Sequence, residues 1–212
     1  MSELLLSRTL APADYDQLTE ELKVVDGYGI DGQHPHRRWE YALALHAIWR
    51  WRQRGRMLGE PLYDVGGSGS RFHLMLCEWC DVETEIIDPR EHGSGTVEEW
   101  AQAGTRLADV VTCISVIEHV GDEERFLYHL SSLVAPGGLL VVTMDYWNRC
   151  GERDTTTTQD QRRRIYCPRS YQNLRLKCVP LHLHTFGGLD PAFHGNQLGD
   201  YTFASLVLEK RP

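Results

Sequence analysis

A short apolar run breaks abruptly into residues with almost no side chain at Leu62-Tyr63-Asp64-Val65-Gly66-Gly67-Ser68-Gly69-Ser70-Arg71-Phe72. The pattern reads as the end of a buried strand, a tight turn and the start of a helix. Bulk is missing where the backbone must come close to something. Helix N-termini carry unpaired N–H groups, so such a loop is a seat for polar or anionic ligand groups. Phosphate-binding loops add a Lys, which this loop lacks, and Asp64 just before it argues against a phosphate-only site.

The flanking segments set the fold class. From about His36 to Arg56, Tyr41, Leu45, Ile48 and Arg52 fall on one helical line, thickened by Trp39, Leu43, Ala47 and Trp51. Met57 to Val65 reads as a strand, Arg71 to Cys80 as a helix and Val82 to Ile87 as a second strand. Thr96 to Ala103 is ambiguous between strand and helix. Asp109 to Ile117 is a nearly continuous apolar run, the mark of a strand buried on both faces. Asp122 caps a helix carrying Phe126, Leu127, Leu130, Leu133 and Val134, and Pro136-Gly137-Gly138 stops it. Leu139 to Met144 is a further buried strand, followed by Asp145-Tyr146. Alternating strands and helices predict an α/β fold with a parallel sheet. Val179 to Phe186 and Tyr201 to Glu209 predict an antiparallel pair at one sheet edge. His182 and His184 would share a strand face there, as a solvent face rather than a metal site.

The glycine loop, Asp88, Ser115 to His119 and Asp145-Tyr146 all fall at the carboxyl ends of strands. Open parallel sheets bind their ligands on that edge. Asp88 lies 22 residues beyond Gly66, directly after Ile86-Ile87, the spacing of a carboxylate that binds a ribose hydroxyl pair. Composition narrows the partners. The net charge of −8 disfavours nucleic acid, the Arg162 to Arg164 cluster being the one local basic feature. No apolar run is long enough for a membrane span, and the start has no basic n-region or cleavage pattern, so a cytoplasmic protein is expected. The six Cys form no framework, Cys77-x-x-Cys80 included, so reduced thiols are expected.

Asp64 to Gly69, Asp88, the run Asp109 to Val120 and the Pro136-Gly137-Gly138 turn together resemble the class I S-adenosylmethionine-dependent methyltransferases. Ser115-Val116-Ile117-Glu118-His119-Val120 is similar to the fourth motif of the small-molecule branch, which includes ubiquinone-type O-methyltransferases. The resemblance implies a Rossmann-like, doubly wound, mostly parallel sheet with an antiparallel C-terminal strand pair and helices on both faces. Residues 1–36 carry no core pattern and read as an N-terminal cap or arm, and the polar insertion within 147–168 as a lid or substrate loop, so the resemblance places the methyltransferase domain over 37–212. It also implies S-adenosylmethionine as cofactor, with S-adenosylhomocysteine as product. Asp64 and Gly66, Gly67, Ser68 and Gly69 would hold the amino-acid end, and Asp88, with Pro89 after it, the ribose. Thr96 and Val97 would lie beside the adenine, and Ser115, Val116 and Ile117 would floor the methionine part. Two departures stand out: Ser68 and Ser70 occupy positions usually Gly. In the ubiquinone-type branch a Glu three residues before Glu-His helps bind a metal. Here that residue is Ser115, and no metal is expected.

The expected reaction is methyl transfer to an O or N atom of a small-molecule acceptor. His119 is the first candidate base, with a pKa near neutrality at a strand tip, followed by Tyr146 and Asp145. Tyr28, His34, Trp39 and Trp147, in covering segments, are the candidate acceptor pocket. Two other readings compete. A nicotinamide dehydrogenase also places an acid after the second strand, but Phe72 stands where its third glycine belongs. A non-catalytic protein could keep the fold. The oligomeric state has no sequence signature here.

Overall fold

Val110, Val111, Leu139 to Val142 and Leu206 to Leu208 are buried, so a sheet covered on both faces forms the centre. The computed structural model describes residues 18–29, 35–59, 61–91, 93–146, 156–158, 161–186, 192–193 and 202–211. In chain order the elements are α1 (Thr19–Gly27), α2 (Pro35–Arg52), β1 (Leu62–Val65), α3 (Phe72–Cys80), β2 (Thr84–Ile87), α4 (Val97–Gln102), β3 (Ala108–Ile114), α5 (Glu123–Leu133) and β4 (Val134–Tyr146). They continue with β5 (Thr156–Thr158), β6 (Gln161–Arg163), α6 (Pro168–Cys178), β7 (Leu183–Thr185), β8 (Ala192–Phe193) and β9 (Thr202–Lys210).

Among the described residues the main sheet has the order β2-β1-β3-β4-β9-β7, with β8 also on β9. The pairs β1/β2, β1/β3 and β3/β4 are parallel. Strand β9 runs antiparallel to β4 and to β7, giving the expected C-terminal pair. The chain leaves β1 toward β2 on one side and returns to β3 on the other. The crevice where the order reverses therefore opens at the tips of β1 and β3.

Alternation along β4 and β9 divides the core in two. Leu139, Val141, Phe203 and Val207 face α1, α2 and α3, where Leu22, Leu45, Ile48, Trp51 and Phe72 close the layer. Leu140, Val142, Met144, Tyr146, Leu206 and Leu208 face the layer holding Leu127, Leu130, Tyr171 and Leu174. The Trp51 indole N–H donates to the Gly137 carbonyl at 3.1 Å and ties α2 to the sheet. Helix α1 docks on α2 through Leu22 and Val25 and through Glu21, whose carboxylate meets His46 Nδ1 at 2.9 Å.

Several boundaries differ from the sequence expectations. Strand β3 ends at Ile114 rather than Ile117, because Ser115 takes a left-handed φ of 51° and Ile117–His119 coils into a 3₁₀ turn. The ambiguous segment is helix α4, started by a capping box: the Thr96 side chain accepts from Glu99 N and Glu99 returns to Thr96 N. Strand β4 begins at Val134, so the Pro136-Gly137-Gly138 turn lies inside it. The stretch 179–186 is strand only over β7. Pro180 sits in a 3₁₀ turn over Val179–Leu181, and His182, at φ 59°, closes that turn instead of sharing a strand face with His184. Cys77, Cys80, Cys113 and Cys178 are free, but Cys167 is disulfide-bonded, contrary to the expected reduced thiols. Pairing depends on proximity in space, which spacing along the chain does not reveal. No described helix is long and apolar enough to cross a membrane.

Leu140 is fully buried and paired on both sides, with Val111 and with Leu208. Leu140→Ala is expected to cost about 2–5 kcal/mol, read as a lower urea midpoint at unchanged slope.

Candidate active site

The glycine loop is fixed by close approach. Gly66 has φ 79°, and a Cβ there would collide with the Val116 side chain; a Cβ on Gly67 would strike the Asp64 carboxylate. Each needs Gly for a separate steric reason. The two serines fit the loop. Ser68 contributes its backbone N–H, which donates to Asp88 Oδ2 at 3.2 Å, and Ser70 Oγ accepts from Phe72 N at 3.2 Å at the start of α3. Phe72 stacks on Tyr41 of α2, ring centroids 4.7 Å apart, so bulk rather than Gly packs helix to helix here.

Asp64 is 2% exposed in the middle of β1 pairing, opposite Thr112 of β3. Thr112 Oγ1 donates to its Oδ1 at 2.8 Å, while Oδ2 is buried without a hydrogen-bond partner among the described residues. Burial, aided by Asp88, raises the Asp64 pKa to about 7 against the opposing Thr112 bond. Asp88, at the tip of β2, is the opposite case. The Arg90 guanidinium forks onto its carboxylate, Nε to Oδ1 at 3.0 Å and Nη2 to Oδ2 at 2.8 Å, and Arg90 N donates to Oδ1 at 2.9 Å. The Arg90 hydrogen bond holds Asp88 below the usual carboxylate range.

A cavity of about 1170 Å³ opens above these strand tips. Of the residues singled out from sequence, Asp64, Gly66 to Gly69, Asp88, Pro89, Thr96, Val97, Ser115, Val116 and His119 line it together. Ile117, Asp145, Tyr146, Tyr28 and Trp39 are not on the described wall. Ile117 is fully buried; Tyr146 points into the α5/α6 layer with Met144; Asp145 is 1% exposed. The Tyr28 hydroxyl donates to Glu78 Oε2 at 2.6 Å on the outside of α3, and Arg38 lies over the Trp39 ring at 5.0 Å. His34 and Trp147 lie outside the described residues. His119 is exposed, and its N–H closes a turn onto the Val116 carbonyl at 2.9 Å.

Sequence reasoning missed Arg37 and Tyr41 of α2, which line the same cavity, and Glu40 beneath them. Glu40 is fully buried. Its Oε1 accepts from Ser115 Oγ at 2.8 Å and its Oε2 from Arg37 Nη1 at 3.1 Å. Glu118 is 2% exposed, neither of its carboxylate oxygens has a hydrogen-bond partner among the described residues, and burial together with Asp145 raises its pKa. No group of three or more His, Cys, Asp or Glu among the described residues is placed to hold a metal.

Residues 30–182 match the model of the family described as Methyltransferase domain. The chain belongs to the class I S-adenosylmethionine-dependent methyltransferases. One curated relative of this methyltransferase is the ubiquinone biosynthesis O-methyltransferase of Azorhizobium caulinodans, 42% identical over 95 residues, covering 42% of this chain and 36% of the relative. A second, from Pectobacterium carotovorum, is 33% identical, covering 39% and 41%. The matched part is thus about two fifths of these relatives or less. Among solved structures, the Burkholderia thailandensis 1,6-didemethyltoxoflavin-N1-methyltransferase, bound to S-adenosylhomocysteine, superposes with a TM-score of 0.60 at 14% identity, covering 97% of this chain and 93% of that one. The N-methyltransferase NodS of Bradyrhizobium japonicum gives 0.56 at 15%, covering 93% and 98%. At such identities the likeness concerns the fold.

The residues of this methyltransferase fit the family's cofactor, S-adenosylmethionine. Asp64 Oδ2, without a hydrogen-bond partner among the described residues, suits an ammonium, and Gly66 and Gly67 carry no Cβ, so the Val116 side chain and the Asp64 carboxylate close directly on the loop backbone. The sign of the pH effect follows from Asp64. A carboxyl whose folded pKa is raised from 3.8 to about 7 binds more protons folded than unfolded. Its stabilising contribution is full below pH 4 and is lost as pH rises to 7. The ligand-free protein is therefore expected to lose melting temperature across that window, and Asp64→Asn to flatten the loss. An ammonium needs the ionised form, so S-adenosylhomocysteine affinity in calorimetry is expected to fall below pH 7, approaching tenfold per unit.

Proposed function

We propose that this protein transfers a methyl group from S-adenosylmethionine to an oxygen of a small hydroxylated acceptor. The observation that carries the reading is the single cavity running from Asp64 and the glycine loop past Asp88 to His119. The choice of oxygen follows the names of the curated relatives, ubiquinone biosynthesis O-methyltransferases, and rests on the matched part of their length. When bound, S-adenosylmethionine supplies an electrophilic methyl on a sulfonium sulfur.

The chain's own residues then have distinct tasks. Asp64 accepts from the ammonium, and the N–H groups of Gly66 to Gly69 line the amino-acid end. Asp88 takes the ribose hydroxyls in exchange for the Arg90 fork. Val97 and Pro89 flank the adenine, and Ser115 and Val116 form the floor. His119, on the cavity wall, takes the proton of the acceptor hydroxyl as the oxygen attacks. Alignment of acceptor and methyl, with water excluded, supplies most of the rate. Asp145 and Tyr146 act from beneath the floor as supports for the tip of β4. The acceptor side is assigned to His34, just before α2, and Trp147, just after β4, with residues 1–36 as cap and 147–168 as lid. A nucleic-acid acceptor has little to recommend it: the net charge is −8, and Arg164 of the basic cluster is engaged by Glu123.

Asp88→Ala is expected to abolish S-adenosylhomocysteine binding in calorimetry; wild-type affinity in that variant would sink the cofactor assignment. In a radiolabel transfer assay against small hydroxylated and amino acceptors, activity should appear with hydroxylated ones. There His119→Ala should lower kcat by about 10²–10⁴ at neutral pH. Transfer only to amines would overturn the choice of oxygen, and unchanged kcat the role of His119.

A further inference from the structure

Two main-chain bonds carry the segment Arg164-Ile165-Tyr166 across the strand tips. Arg164 N donates to the Glu118 carbonyl at 2.8 Å, in the 3₁₀ turn that follows β3, and Tyr166 N donates to the Asp145 carbonyl at 2.8 Å, near the end of β4. A parallel bridge joins Tyr146 to Tyr166 beside them. Glu123 of α5 ties the side chains of the segment: it meets the Arg164 guanidinium and accepts from the Tyr166 hydroxyl at 3.0 Å. The turn held in this way, Ile117–His119, is the one that sets His119 on the cavity wall. Both anchoring carbonyls belong to acidic residues, and the side chains of both are buried.

Glu118 has no donor to offset its burial, since neither carboxylate oxygen has a hydrogen-bond partner among the described residues. Asp145 bears on it from β4, and Glu40 and Arg37 from α2. Cys113 of β3 and Tyr166 of the crossing segment also face it, both kept neutral by burial. An ionised Glu118 would be a third carboxylate against one guanidinium, and that guanidinium is already engaged by Glu40 at 3.1 Å. A buried carboxyl in such company is lower in energy neutral than charged. We infer that Glu118 is a proton-dependent clamp: with its carboxyl neutral the Arg164–Tyr166 segment stays closed on the tips of β3 and β4 and fixes the turn that carries His119, and loss of the proton loosens it. Glu118 is a positioning residue here, acting on the cavity only through the turn. The direction follows from proton counting. Burial, then Asp145, raises the Glu118 pKa from 4.5 to about 8 in the closed arrangement, whereas opening returns the carboxyl to water. The closed state binds more protons, so opening becomes easier as pH rises through that window and stops changing above it. The clamp acts whatever the acceptor.

Hydrogen exchange on the full, ligand-free chain reads the opening at the Arg164 and Tyr166 amides, each rate divided by its base-catalysed intrinsic rate. Between about pH 5 and about pH 8 the opening is expected to grow, approaching tenfold per unit, and to level off above. It should exceed any growth at the Phe186 amide, which donates to the Val207 carbonyl at 2.8 Å on the β7 edge and reports on the rest of the sheet. Glu118→Gln, which keeps the shape of the neutral carboxyl, should remove the growth at Arg164 and Tyr166 in protein whose melting curve shows it folded. Asp145→Asn takes away one facing charge and should shrink the total growth. A wild type without growth, equal growth at all three amides, or undiminished growth in folded Glu118→Gln would overturn the inference. Should Glu118→Gln not fold, undiminished growth in Asp145→Asn decides against it instead.

Discussion

The hydrogen bond from Thr112 Oγ1 to Asp64 joins the two strands whose tips define the crevice. A carboxylate in the middle of a buried parallel sheet is costly unless its lone pairs are occupied. The neighbouring strand satisfies one oxygen and leaves the other facing a loop that Gly66 and Gly67 keep bare. Parallel register, loop sterics and the acid are thus one arrangement. Shifting β3 by a single residue would turn Thr112 to the opposite face and strand both oxygens.

Around that bond the site is built from segments far apart in the chain. Helix α2 precedes the first strand, yet it supplies Arg37 and Tyr41 to the cavity and sends Glu40 to Ser115, 75 residues away. The return of the insertion after β4 is fixed just as firmly. Arg164 N donates to the Glu118 carbonyl at 2.8 Å, and Glu123, in the first turn of α5, gathers Arg164, the Tyr166 hydroxyl and Lys177. The strand tips are held by what comes before and after the sheet as much as by the sheet.

This explains which parts were legible from sequence. The doubly wound sheet and its antiparallel edge follow from local periodicity and from turn residues. So does the gathering of Asp64, the glycine loop, Asp88 and Ser115 at one cavity, because each stands at or next to a strand end that its own neighbours announce; Thr96, which caps α4, was reached only through the family resemblance. Arg37 and Glu40 had no such announcement; they sit in a helix whose apolar pattern masks them, and only tertiary packing brings them to Ser115. Other misses had signals in plain view. Thr96-x-x-Glu99 is a capping box, which would have decided for helix α4. The parity of β4 puts Tyr146 on the same face as Leu140, Val142 and Met144, within the α5/α6 layer rather than on the cavity wall.

The fork of Arg90 on Asp88 carries a kinetic meaning as well as a geometric one. On the role proposed for Asp88, a carboxylate already saturated by donors would give up little solvation as the ribose diol arrives, because one set of hydrogen bonds would be traded for another. The same trade runs backward when the ligand departs, since the guanidinium, tethered two residues away, is at high local concentration and can recapture the oxygens as the hydroxyls leave. A tethered competitor of this kind weakens the bound state without narrowing the entrance. If Asp88 holds the ribose as proposed, that would favour rapid exchange of spent cofactor for fresh over tight retention.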